Sequence, residues 1–264
     1  MRLRGKVALI TGAGQGLGAE IARRYVREGA RVFLADVNGE LAATTAAQIA
    51  DSARSEGSAS EVFGDSGAPV EPIVLDVTSE PDWIAAIRTV REKAGRIDVL
   101  VNNAGINIRR DIEDMPVESF DAMYAVNVRG PFLGIKHVLP VMKVGGGGVI
   151  LNMASICGLV GHKFTNEAYT TTKGAVTLLT KSIASRYAAA NIRCNSVHPS
   201  TVDTPMLQTV LTDPEKRAER YGEIPLGRLA STDDVASAFV FLASDEASFI
   251  NGVAFPVDGG LTAW

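Results

Sequence analysis

The chain has 264 residues, long for a typical single domain but within what α/β folds build on one core, and its 46% hydrophobic and 21% charged residues exclude extended disorder. A formal net charge of -4, with Lys and Arg scattered, excludes a basic footprint for nucleic acid or anionic lipid. Cys157 and Cys194 lack metal-ligand spacing, no apolar run reaches spanning length, and Met1–Lys6 runs directly into a strand, so a cytoplasmic protein with reduced thiols, no metal and no membrane or nucleic-acid partner is expected.

The first predicted strand, Lys6–Ile10, leads into Thr11-Gly12-Ala13-Gly14-Gln15-Gly16-Leu17-Gly18 and then a helix over Leu17–Glu28. A glycine turn between strand and helix lets a pyrophosphate approach backbone N–H groups and the positive end of the helix dipole. Gly12, Gln15, Gly16, Leu17 and Gly18 are therefore candidate cofactor contacts, with the spacing Gly12-x-x-x-Gly16-x-Gly18. The second strand, Arg31–Ala35, ends beside Asp36, placed to hydrogen-bond ribose hydroxyls and to repel a 2′-phosphate. Gln15 and Val37 stand where a basic side chain would pair such a phosphate, so NAD is the expected cofactor. The alternative for Asp36 is a helix N-cap, a role for which Asn38 competes.

A helix over Leu41–Ala53 is followed by a Ser/Gly-rich stretch, about 51–70, read as a surface loop. Strands at Ile73–Leu75, Ile97–Val101 and Gly148–Asn152 alternate with helices at Pro81–Ala94 and Pro116–Lys143. The helix Glu167–Ala189 carries Tyr169 and Lys173, four apart and so on one face. A phenol titrates near ~10, and a neighbouring ammonium would lower it toward use as a proton carrier. Such a pair also arises by chance on solvated helix faces. After the strand Arg193–Val197, Pro205, Pro214 and Pro225 bracket a short helical pattern at Glu215–Tyr221, so about 203–225 is a candidate substrate lid, with Met206, Leu207, Val210 and Leu211 as an apolar wall. The helix Thr232–Ser244 and the strand Gly252–Val257 complete the alternation. It predicts one domain over 1–264, with seven parallel strands, doubly wound and covered by helices on both faces.

The ordered set of the Thr11…Gly18 turn, Asp76-Val77, Asn102-Asn103-Ala104-Gly105, Asn127, Ser155 with Tyr169 and Lys173, and Val257-Asp258-Gly259-Gly260 resembles the short-chain dehydrogenase/reductase family over essentially the full length. The resemblance implies a Rossmann-type fold and an NAD(H)-dependent oxidoreductase without metal. It implies that Asp76 and Val77 meet the adenine, and that Asn103, Ala104 and Gly105 line its side and steady the sheet. Asn127 would orient a water in a proton relay, with a helix-interrupting structural Asn as the alternative. Ser155 would hydrogen-bond the substrate oxygen, Tyr169 exchange the proton, and Lys173 hold the nicotinamide ribose. Pro199, Val202 and Thr204 would border the nicotinamide, and a homotetramer would form partly through the long helices after Pro116 and from Glu167.

The family usually has Pro-Gly after the sixth strand, whereas Ser200 follows Pro199 here, and Asp36 to Asp76 spans more positions than usual, an excess that maps to the loop at about 51–70. The stretch from Asn152 onward is most similar to alcohol and cyclic-alcohol members, so the expected reaction interconverts a secondary alcohol, cyclic or hydroxy-acid-like, and its ketone. The alternatives are a 3-oxoacyl thioester reductase and a non-catalytic NAD-binding protein. Ser155 has no Gly-x-Ser-x-Gly setting, which counts against covalent catalysis. His137, His162 and His198 read as structural, with His162 near enough in sequence to touch the pocket. Arg109 and Arg110 read first as a solvated basic pair, with an anionic substrate group as the alternative.

Overall fold

Seven short runs of Val, Ile, Leu and Ala form the strands β1 (Val7–Thr11), β2 (Arg31–Asp36), β3 (Val70–Val74), β4 (Val99–Asn102), β5 (Gly148–Met153), β6 (Ile192–Pro199) and β7 (Ala254–Val257). They make one parallel sheet in the order β3-β2-β1-β4-β5-β6-β7. The computed structural model describes residues 1–55, 69–204, 207 and 212–263.

Every residue of β1 and of β4 is buried, because helices cover both faces and leave no side for polar alternation. One face packs on α1 (Gly16–Arg27), α2 (Gly39–Ser55) and α8 (Thr232–Ala243), through Ile21, Tyr25, Ile49 and Phe239. The other packs on α3 (Glu80–Ala94), α5 (Gly130–Val144) and α6 (Glu167–Tyr187), through Trp83, Val90, Val138 and Met142. Both edge strands contain a proline, Pro72 in β3 and Pro256 in β7, at the two places where the sheet tolerates a missing donor and is protected from further pairing. Strand order reverses between β1 and β4, and the crevice beyond their carboxyl ends is where this architecture holds ligands.

The doubly wound seven-stranded sheet is as the alternation predicted, with three local differences. β3 occupies Val70–Val74 rather than Ile73–Leu75, since at an edge Glu71 and Pro72 are tolerated and dilute the apolar run. The helix expected over Pro116–Lys143 is divided into α4 (Val117–Tyr124), a π-turn at Ala125–Arg129 and α5. Of the stretch at about 51–70 expected as a loop, residues 51–55 belong to α2 and Val70 begins β3; residues 56–68 lie outside the described residues. The short helix at Glu215–Tyr221 appears as α7 (Pro214–Gly222). Met206, Val210 and Leu211 of the expected apolar wall lie outside the described residues.

Candidate active site

The glycine turn is fastened from the NNAG segment. Thr11 Oγ1 donates to Val101 O at 3.3 Å and accepts from the backbone N–H groups of Asn103 (3.1 Å) and Ala104 (3.2 Å). Asn103 Nδ2 donates to the carbonyls of Thr11 (3.0 Å) and Gly12 (2.9 Å). A Cβ on Gly12 would stand 2.7 Å from Ala104 Cα, and one on Gly18 would stand 2.3 Å from Gly12 O, so glycine is sterically required at both. Gly16, at φ +58, has nothing within 4 Å of its Cβ position and faces open space. α1 starts there, with Gln15 extended, no side-chain cap and no acidic residue in the first turn, leaving the positive end of the helix open. An open cradle of this shape fits the pyrophosphate of a dinucleotide.

Asp36 ends β2 with Oδ2 accepting from Gly14 N and Oδ1 from Asn38 N, both at 3.0 Å. Asn38, not Asp36, caps α2, its Oδ1 accepting from Leu41 N at 3.0 Å. The carboxylate is thereby fixed beside the turn with lone pairs to spare, and Val37 next to it is 68% exposed. Asp76 folds back on its own turn, Oδ1 accepting from the N–H and hydroxyl of Thr78, both at 2.8 Å. Val77 is buried, and its carbonyl accepts from Trp83 Nε1 at 3.0 Å.

Gly105 is where the cofactor motif meets the helix residues. The position of its Cβ lies 3.3 Å from Asn127 Oδ1 and 3.6 Å from Lys173 Nζ. Asn127 sits buried in the π-turn, Oδ1 accepting from Ile106 N (2.8 Å) and Nδ2 donating to Ile106 O (2.9 Å) and Thr172 Oγ1 (3.1 Å). Thr172 in turn donates to Tyr169 O at 2.7 Å. The one carboxamide thus ties the segment after β4 to the helix that carries Tyr169 and Lys173.

Lys173 is buried, with Nζ donating to Met153 O at 2.8 Å and lying 5.4 Å from the Tyr169 ring centroid. Burial pushes its pKa down to about 8. Tyr169 departs from the expectation drawn from spacing: burial holds its phenol well above the ordinary tyrosine range, and the field of Cys157 adds to that. A hydrogen bond with the Ser155 side chain and the charge of Arg109 pull it partly back. The Lys173 ammonium is spent on a carbonyl, so desolvation dominates.

Ser155 opens the short turn Ile156–Gly158, its Oγ accepting from Cys157 N at 3.3 Å. Its carbonyl accepts from His198 Nδ1 at 2.7 Å, and His198 Nε2 pairs with Ser196 Oγ at 2.8 Å. Burial pushes His198 down to about 4, so the ring is neutral, with Nδ1–H donating and Nε2 accepting the serine hydroxyl. This role for His198 had no sequence signal, because β6 brings it to Ser155 across 43 positions of chain.

Pro199 closes β6, and Ser200 N donates to Val257 O at 3.2 Å while the buried Ser200 Oγ has no partner. That hydroxyl borders a cavity of about 220 Å³ at the carboxyl ends of β6 and β7, with Ile224, Leu226, Pro256 and Val257. Val202 bridges to Ala230, and Thr204 Oγ1 accepts from Leu207 N at 3.2 Å. His162 links the loop after Ser155 to the end of α7, its Nε2 2.7 Å from Glu223 Oε2 and its Nδ1 3.1 Å from Thr165 Oγ1.

A glycine-turn dinucleotide cradle on a doubly wound sheet, with a Ser, a Tyr and a Lys gathered beyond β5, defines the class as nicotinamide-dependent oxidoreductases. The family described as enoyl-(acyl carrier protein) reductase matches residues 12–262. The chain is 42% identical to a 2-(R)-hydroxypropyl-CoM dehydrogenase of Xanthobacter autotrophicus, over 98% of this chain and 99% of that protein. It is 40% identical to a cyclopentanol dehydrogenase of Comamonas, with 99% of each chain covered. Among solved structures, a gluconate 5-dehydrogenase from Burkholderia cenocepacia in complex with NADP and tartrate superposes with a TM-score of 0.88 at 33% identity, covering 100% of this chain and 97% of that one. The chain belongs to the short-chain dehydrogenase/reductase family.

Proposed function

We propose that this protein is an NAD-dependent dehydrogenase that oxidises a secondary alcohol to its ketone, with Asn127, Ser155, Tyr169 and Lys173 carrying the proton side of the reaction. What supports it is the approach of the Ser155 side chain to the Tyr169 phenol, close enough to lower its pKa, with a buried Lys173 one helical turn away and at the edge of a cradle that fits a dinucleotide. Two hydroxyls converging on one point suit a substrate oxygen that becomes negative as its proton leaves. Bound there, an oxidised nicotinamide supplies the two-electron acceptor and a positive charge beside the phenol.

Ser155 donates to the substrate oxygen and Tyr169 takes its proton. The raised pKa of the free phenol means that Tyr169 ionises only when positive charge beyond Lys173 enters the site. Lys173, poised at about 8, favours the phenolate and can reach a ribose hydroxyl from the same position. Asn127 fixes the segment at Ile106 and keeps one lone pair of Oδ1 for a relay water. Asp36 argues for NAD over NADP, since its carboxylate is anchored where a 2′-phosphate would lie and Val37 offers no cation. Gly12, Gln15, Gly16, Leu17 and Gly18 would take the pyrophosphate. Asp76, Val77, Asn103, Ala104 and Gly105 would border the adenine side, and Pro199, Val202 and Thr204 the nicotinamide. Residues 203–225 serve as the lid of a single domain.

Exposed Val117, Tyr124 and Phe132 on α4 and α5, with Leu178 on α6, support a homotetramer built on these helices. Among the described residues no helix is long and apolar enough to cross a membrane. The reading places the enzyme in the cytoplasm. The test is Tyr169→Phe: NADH binding is retained while kcat for alcohol oxidation falls by about a thousandfold. Turnover within a factor of a few of wild type would remove Tyr169 as the proton carrier.

A further inference from the structure

Two arginines that the family motifs leave unassigned are tethered to one stretch of chain at the site. The segment after the NNAG motif is held by Asn166, whose Nδ2 donates to Asn107 Oδ1 (2.8 Å) and to Ile108 O (3.3 Å). The Oδ1 of the same Asn166 accepts from Tyr169 N at 2.8 Å and caps α6. Arg109, the next residue after Ile108, is thereby fixed at the start of the Tyr169 helix. Arg220 arrives from α7. Its guanidinium lies 4.1 Å from the centroid of the Phe164 ring and donates to Phe164 O at 3.2 Å, two residues before Asn166.

Arg109 stands outside the ion pairs around this stretch. Arg220 is answered by Glu223 at 3.5 Å, whose other oxygen lies 2.7 Å from His162. The neighbouring Lys163 is answered by Glu219 at 3.1 Å. Among the described residues no carboxylate pairs with Arg109. Its field reaches both the Tyr169 phenol and the Arg220 guanidinium, lowering the pKa of each. Repulsion between two guanidiniums, one of them partly desolvated, is a cost that an anion between them would relieve. Arg109 and Arg110 are both exposed; Arg110 turns back to donate to Arg109 O at 3.1 Å, whereas the field of Arg109 reaches the Tyr169 phenol.

We propose that the secondary alcohol is a hydroxy acid, and that Arg109, with Arg220 beside it, receives the substrate carboxylate at the mouth of the Ser155–Tyr169 site. A planar guanidinium can take a carboxylate through two parallel N–H donors, so the pair would fix the orientation of the carbinol as well as add affinity. The inference rests on the alcohol dehydrogenase reading and adds the chemical class of the substrate.

The experiment uses a matched pair, 4-hydroxycyclohexanecarboxylate and its carboxamide, with NAD as acceptor. The expected wild-type ratio of kcat/KM, acid over amide, is about tenfold or more, and Arg109→Gln brings it close to one. Arg109→Lys restores part of the ratio. A purely structural lesion lowers both members alike and leaves the ratio in place. An equal ratio in the wild type, or one that Arg109→Gln does not move, overturns the carboxylate site and leaves the alcohol reading standing. If neither compound, nor a wider panel of alcohols, is turned over, the alcohol reading itself fails. Calorimetric titration of the NAD-loaded protein with 4-oxocyclohexanecarboxylate then still decides the site: binding weakened about tenfold in Arg109→Gln supports it, and equal binding removes it.

Discussion

The cofactor end and the substrate end of the crevice are held in different ways. At the cofactor end the main chain is the site: Thr11 and Asn103 clamp the backbone of the glycine turn, and Gly12 and Gly18 are needed for the side chains they lack. At the substrate end side chains hold side chains, through Asn127–Thr172, Asn166–Asn107 and His198–Ser196. A backbone site has a local, short-range signature. A side-chain site is assembled by pairs far apart in the chain, and its electrostatics follow from burial that no spacing encodes.

The harshest way to break the contrast is Gly18→Ala. Its Cβ would meet Gly12 O at 2.3 Å, Asn103 Nδ2 at 2.6 Å and Ala13 Cα at 2.8 Å, mostly unyielding backbone. A forced shift of this kind costs about 3 kcal/mol, equivalent to more than a hundredfold in dinucleotide affinity if it falls on the cradle. NADH titration measures it, and wild-type affinity in the variant would mean that the turn is far softer than its hydrogen bonds indicate.

At the substrate end the corresponding lever is protonation. His198 has its pKa pushed down to about 4, against an ordinary value near 6.5, so between those values the unfolded chain binds a proton that the folded one does not. Stability is therefore full above about pH 6.5 and declines as the pH falls toward 4, by about 3 kcal/mol from this group alone. His198→Gln, which keeps a neutral donor for Ser155 O, should flatten the loss of thermal midpoint between about pH 7 and pH 5. The same loss in the variant would assign the acid sensitivity to other groups.

What the sequence made legible follows the same division. The strand–turn–helix succession, the buried parallel sheet and Asp36 at the end of β2 all rest on local pattern, and each stands where it was read. The break of the Pro116–Lys143 helix at Asn127 did not show, because a π-turn leaves the apolar period almost intact and reveals itself only in the Asn127–Ile106 bonds. The direction of the Tyr169 pKa was misread for a related reason. Spacing places Lys173 on the same face, but it does not reveal that Met153 O takes the ammonium, or that burial outweighs the charge. His198 was read only as structural, and Arg220 was not singled out, because their partners, Ser155 and Phe164, are reached through the sheet and across to α7.

A milder probe of the cofactor end is Asp36→Ala, which frees Gly14 N and Asn38 N and removes the charge facing a 2′-phosphate. The ratio of kcat/KM for NADP over NAD should rise by about tenfold, near 1.4 kcal/mol. Wild-type activity that already prefers NADP would refute the argument from Asp36 outright.

The smallest effect separates the two reasons for glycine within one turn. Gly16 shares the left-handed backbone of Gly12, φ +58 against +60, but its Cβ position is free for 4 Å in every direction, whereas that of Gly12 lies against Ala104. Gly16→Ala therefore incurs only the conformational cost of a left-handed alanine, about 1 kcal/mol, visible as a small drop in the thermal midpoint of the apoprotein. A methyl on the open face of the cradle would also crowd an incoming phosphate, so NADH should protect the variant against unfolding less than it protects the wild type. Equal protection would mean that the pyrophosphate does not pass over Gly16, and that the open end of α1 is not where the cofactor binds.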